Sequence, residues 1–118
     1  MSKIKETSTN FANKQALSNE CPEVYASNII GGQWSLPVCC YLMNGKLRFG
    51  ELKKYLPNIT ERMLTLQLRK LEENKIIKRT VYAEVPPRVE YELTEIGYEL
   101  KPIITELGNW GKKRKKLK

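Results

Sequence analysis

Two short helical patterns meet between Phe49 and Glu73, joined by Leu56-Pro57-Asn58-Ile59-Thr60. Phe49, Leu52 and Leu56 recur at i, i+3 and i+7, the spacing of a stripe buried along one side of a helix. Gly50, Glu51, Lys53 and Lys54 face outward, and Pro57-Asn58 ends the pattern. Thr60 can accept the first free backbone N–H of the next helix. In that helix Leu64, Leu68 and Leu71 form the buried stripe, and the pattern runs to about Glu73. Helices this short are held by packing rather than by propensity. The tight link makes each the other's partner, as a helix-turn-helix.

The flanking segments narrow the architecture. Pro22 suits the first turn of a helix to about Ile30, with Val24, Ile29 and Ile30 apolar and Gly31-Gly32 as the stop. Trp34 to Met43 predicts a second helix with Ser35 as cap and Pro37 in its first turn. Apolar nearly all round, it is expected to be central and buried, with Cys39 and Cys40 as inert core. After the helix-turn-helix, Ile76 to Glu84 is β-branched and aromatic. Arg88 to Leu93 then alternates, with Val89, Tyr91 and Leu93 inward and Arg88, Glu90 and Glu92 outward. Pro86-Pro87 between them marks a stiff hairpin tip. Thr94 caps a last helix that Gly97 and Pro102 weaken. Its stripe of Leu100, Ile103, Ile104, Leu107 and Trp110 is wide for a terminal helix and predicts a partner chain.

The expected fold is therefore mainly α with a small β-hairpin: a winged helix-turn-helix that dimerises through its N- and C-terminal helices. Residues 1–20 are polar and read as a flexible arm, with a short helix around Phe11 to Leu17. Residues 21–111 form the winged helix-turn-helix domain, and 112–118 form a basic C-terminal tail.

Composition removes many functions. The chain has 118 residues and no His, and all 13 of its acids are Glu. A Ser-His-Asp triad, an HExxH protease or a His-Cys zinc site cannot be built from it. Its three cysteines show no metal-binding spacing. No enzyme activity, metal or cofactor is expected. The longest nearly apolar run, Leu36 to Met43, is far short of the roughly 20 residues of a membrane span, and no signal peptide is visible. No membrane association is expected, and a cytoplasmic location is.

The net charge of +8 is unevenly placed. Residues 46–88 hold 11 basic and five acidic residues, whereas 89–111 hold one and five. Such polarity suits one face turned to a polyanion. On the outward side of the fourth helix stand Arg62, Thr65, Leu66 and Arg69. Arg62 and Arg69, two turns apart, are spaced to reach base edges or phosphates. Leu66 either meets a thymine methyl or packs on a neighbour. Thr60 caps the helix and can also meet a phosphate. Lys78, Arg79 and Arg88 are the hairpin's candidates for the DNA backbone or minor groove, with Arg88 foremost. Lys46, Arg48, Lys53 and Lys54 are candidate phosphate contacts.

The same segments resemble the HxlR family of bacterial transcriptional regulators, within the wider MarR-like winged-helix group. The similar stretches are Cys21-Pro22, Ile30-Gly31-Gly32-Gln33-Trp34-Ser35-Leu36, Arg48-Phe49-Gly50-Glu51-Leu52, Ile59 to Thr65 with Gln67-Leu68-Arg69, Val85-Pro86-Pro87-Arg88-Val89-Glu90-Tyr91 and Leu93-Thr94-Glu95-Ile96-Gly97. They span about 21–111. The resemblance implies a homodimer on a palindromic operator in double-stranded DNA that regulates nearby genes, repression being the expected sign. Leu66 departs from it, since family members often carry a polar residue there, and the basic tail is an addition.

Cys21 precedes a helix whose N-terminal dipole favours an anion. The resemblance implies a redox- or electrophile-sensing thiol at this position, near the subunit boundary of a dimer. The alternative is a small apolar residue. Trp34, Tyr25 and Tyr41 could line a cavity for a small-molecule effector or belong to the core. Against DNA reading stands a winged helix used for protein–protein contact, which usually lacks the outward Arg62 and Arg69. A thiol enzyme lacks a base beside Cys21, and the aromatic stacking motifs of RNA-recognition sheets are absent.

Overall fold

A computed structural model describes residues 20–117. It divides into two units between Gly32 and Gln33. The expected arm and the helix around Phe11 to Leu17 lie outside the described residues, apart from Glu20.

The first unit contributes α1, Pro22–Ile30. Cys21 is its N-cap residue, Pro22 occupies the first turn and Glu23 complements the helix dipole there. At the other end Gly31 donates to Ser27 O at 2.7 Å. A Cβ on Gly31 would collide with that carbonyl, so the stop requires glycine through close approach.

The second unit holds α2 (Ser35–Leu42), β1 (Leu47–Arg48), α3 (Phe49–Tyr55), α4 (Glu61–Glu73), β2 (Ile77–Tyr82), β3 (Arg88–Leu93), α5 (Glu95–Tyr98) and α6 (Leu100–Lys115). The sheet is antiparallel in the order β1-β3-β2. Helices α3 and α4 with their turn, followed by the β2–β3 hairpin, make a winged helix-turn-helix. Its core is Val38, Leu42, Leu52, Leu56, Ile59, Leu64, Leu68, Leu71, Ile76, Ile77, Tyr91 and Leu93. Each fully buried Leu stabilises the fold by roughly 1.5–3 kcal/mol.

The caps explain the boundaries. Thr60 accepts from Met63 N at 3.1 Å and starts α4 as expected. Its far end closes with Ile76 N donating to Leu71 O at 2.9 Å and Lys75 N to Glu72 O at 3.0 Å, with Lys75 left-handed at φ 64°. Thr94 accepts from Gly97 N and donates to Lys75 O at 2.6 Å, which ties the start of α5 to the entry of β2. Gly97 is buried there, where a Cβ would collide with Ile76 O.

Three expectations need correction. Ser35 does not cap α2; it is the first helical residue, fully buried, and accepts from Gln67 Nε2 at 2.7 Å, joining α2 to α4. Second, α2 is not apolar core all round. Val38, Cys39 and Leu42 are buried, but Cys40 is exposed. The expected hairpin is present, and a third short strand joins it where Leu47 and Arg48 pair with Tyr91 and Glu90. Two residues are too few to show alternation. Finally, the last helix is two helices. The ring of Pro102 would clash with the carbonyl of Tyr98 four residues earlier, so the chain breaks at Glu99 and Pro102 falls in the first turn of α6. From there α6 runs on to Lys115, into the segment assigned to the basic tail.

Candidate nucleic-acid interface

Helix α4 buries Leu64, Leu68 and Leu71, so the opposite side must face outward. That side presents Arg62 and Arg69, both exposed, and Leu66, 51% exposed. Burial therefore does not account for Leu66. Thr65 is half-buried and donates to Glu61 O at 2.8 Å, which occupies its proton. Thr60 is exposed at the N-terminal end. Met63, 45% exposed, joins this surface and was missed by periodicity because a lone Met beside a leucine stripe carries no outward signal.

Helix α3 leads into the turn with Lys54 exposed and Lys53 half-buried. Arg48 precedes it, and its backbone N–H donates to Glu51 Oε1 at 2.9 Å. Lys46 lies 3.7 Å from Glu92, and the Tyr82 hydroxyl and then Glu92 hold its amine above the usual lysine range.

The sheet register sorts the wing residues by face. Directly opposed residues share a face. Lys78 stands opposite Glu92, Thr80 opposite Glu90 and Tyr82 opposite Arg88, all on the outer face. Arg79 stands opposite Tyr91, between the pairs Ile77–Leu93 and Val81–Val89, on the face that covers the core. Its parity with Ile77 carried that information in the sequence. Arg88 does not project. Its guanidinium lies 4.0 Å over the Tyr82 ring, 3.3 Å from Glu84 and 4.0 Å from Glu90, and its Nε is buried without a hydrogen-bond partner. The tip itself is open, with Val85 fully exposed.

Elsewhere, Tyr41 stacks on Tyr55 with centroids 4.6 Å apart, Tyr25 is exposed and Trp34 half-buried. Cys21 is half-buried and its Sγ donates to Glu23 Oε2 at 3.8 Å. Burial, reinforced by neighbouring Cys40, pushes the Cys39 thiol up to about 11, and partial burial raises that of Cys40. On α6 no residue is buried; Ile103, Leu107 and Trp110 are 52%, 45% and 64% exposed, and Leu100 and Ile104 half-buried. Among the described residues no group of His, Cys, Asp or Glu could hold a metal, and no helix is long and apolar enough to cross a membrane.

Comparison with known proteins agrees with this geometry. The family model described as HxlR-like helix-turn-helix matches residues 29–118. The helix-turn-helix transcriptional regulator YdeP of Bacillus subtilis (strain 168) is 50% identical over 95 residues, which is 80% of this chain and 74% of YdeP. A regulator of the same type from Methanothermobacter thermautotrophicus is 53% identical over 92 residues, 78% of this chain and 70% of the relative. Among solved structures, the redox regulator HypR in its reduced form superposes with a TM-score of 0.76 at 45% identity, covering 80% of this chain and 93% of HypR. With a family model across most of its length, relatives at half identity and a shared winged helix, this chain belongs to the HxlR-like helix-turn-helix family of transcriptional regulators.

Proposed function

We propose that this regulator acts in the cytoplasm as a homodimer on a palindromic operator in double-stranded DNA, with no catalytic activity of its own. The observation that carries the reading is the outward side of α4, where Arg62 and Arg69 flank an exposed Leu66. A major groove admits such a helix, and an Arg reading guanine bidentately discriminates by about 1–3 kcal/mol. Leu66 suits a thymine methyl. Thr60 stands at the start of the helix and Thr65 one turn before Arg69, while Lys53, Lys54 and Arg48 set the register on phosphates. Lys78 and Arg79 serve the wing; Arg88 and Lys46 are already paired with carboxylates and contribute less. The exposed apolar side of α6, from Leu100 to Trp110, is the surface a second copy covers.

The test is binding of the purified protein to DNA upstream of its own gene against random competitor. Arg62→Ala is expected to erode the preference for specific DNA by roughly tenfold or more, and Lys53→Ala to weaken both about equally. Equal losses on specific and random DNA for Arg62→Ala would argue against base reading by Arg62.

A second reading concerns Cys21. Its position at the head of α1, half-buried, and the likeness to redox regulator HypR favour a responsive thiol. Two Cys21 thiols, one from each copy, would lose two protons and two electrons to an oxidant such as diamide and form one disulfide. Diamide is expected to alter DNA binding of the wild type and of Cys40→Ser but not of Cys21→Ser. An unchanged response in Cys21→Ser would remove Cys21 from the mechanism.

A further inference from the structure

The cations of the DNA-facing unit fall into two groups. Lys46 and Arg88 are spent on Glu92, Glu84 and Glu90. Arg69 and Arg79 are not; among the described residues neither lies within ion-pairing distance of a carboxylate. Yet they come from different elements to the same place. Between α4 and the sheet is a cleft of about 340 Å³ lined by Thr65, Leu68, Arg69, Glu72, Arg79 and Tyr91. Arg69 reaches it from the reading helix. Arg79 reaches it because the sheet register puts it opposite Tyr91, on the core-covering face.

Two guanidiniums in one cleft repel each other. Glu72 offsets one of the two charges without pairing with either, so the cleft keeps a net positive charge. Leu68 and Tyr91, which line it beside the exposed Arg69 and Arg79, are buried. A planar guanidinium matches the oxygens of a phosphate with two parallel hydrogen bonds. We infer that this cleft is an oxyanion seat in which Arg69 and Arg79 together hold one phosphate group. The inference deepens the DNA reading, because a seated phosphate would lock the reading helix to the base of the wing. The group can come from the DNA backbone or from a free phosphate compound.

The free protein is tested first, without DNA. Inorganic phosphate is titrated against chloride at constant ionic strength while backbone amide resonances are followed. A saturable shift at Thr65, Arg69, Arg79 and Tyr91 is expected. Arg69→Gln and Arg79→Gln should each weaken it about fivefold or more, and Arg79→Lys, which keeps the charge but loses the fork, by less. Unchanged resonances outside the cleft check that each variant is folded. The titration is then repeated on the DNA complex. Loss of the phosphate response there, with a salt dependence of DNA binding shallower by about one in either Gln variant, assigns the seat to a backbone phosphate. An unchanged response assigns it to a free phosphate compound. Shifts that do not saturate, or that survive both Gln substitutions, would overturn the seat while leaving DNA binding by α4 untouched.

Discussion

At the residue scale, adjacent side chains of one type meet different environments. Cys39 and Cys40 are neighbours on α2, yet one is buried and the other exposed, since successive helical residues point about 100° apart. Cys39 therefore ionises less readily in the folded chain than in the unfolded one, from 9.0 up to about 11. A raised folded value means its contribution is intact below pH 9 and is lost as pH climbs toward 11. Unfolding by urea should show wild type losing roughly 1.4 kcal/mol per pH unit more than Cys39→Ala across that window. Parallel pH curves for the two proteins would refute buried ionisation at Cys39. Arg88 makes the same point in charge: sequence ranks it first on the wing, and the fold spends it on Tyr82, Glu84 and Glu90.

At the scale of elements, periodic signals were legible and contact-dependent ones were not. The stripe Leu64, Leu68 and Leu71, the Thr60 and Thr94 caps and the alternation around Tyr91 follow from local sequence, and the structure has them all. The strand β1 was not legible, because two residues become a strand only when β3 lies beside them. Nor was the Ser35–Gln67 bond across 32 residues. The side of the sheet that Arg79 takes is legible in its parity with Ile77, which places it on the opposite face from Lys78. The end of α4 holds a residue mismatched to its backbone. Lys75 sits left-handed where glycine is usual, so Lys75→Gly should raise thermal stability by about 0.5–1 kcal/mol. A lower melting temperature would show that the Lys75 side chain contributes more than its backbone costs.

At the scale of the whole molecule, charge and apolar surface meet on one helix. Residues 112–118 carry six of the basic residues, and α6 continues helically through Lys115. Lys112, Lys113, Arg114 and Lys115 in its last turn favourably meet the negative end of the helix dipole. The stretch before them shows Ile103, Leu107 and Trp110 to solvent, which a single chain leaves uncovered. Leu107→Glu is expected to convert a dimer to a monomer in sedimentation and to lower operator affinity at least about a hundredfold, since half the contacts are lost. A variant that remains dimeric would place the interface elsewhere.

The most direct test of a paired DNA reader is selection from a pool of random duplexes by the full-length protein near physiological salt, followed by sequencing. Two inverted half-sites, with centres about one helical turn or a multiple of it apart, are expected, and Arg62→Ala should blur one position in each. A selected pool no different from the input would contradict sequence reading by α4.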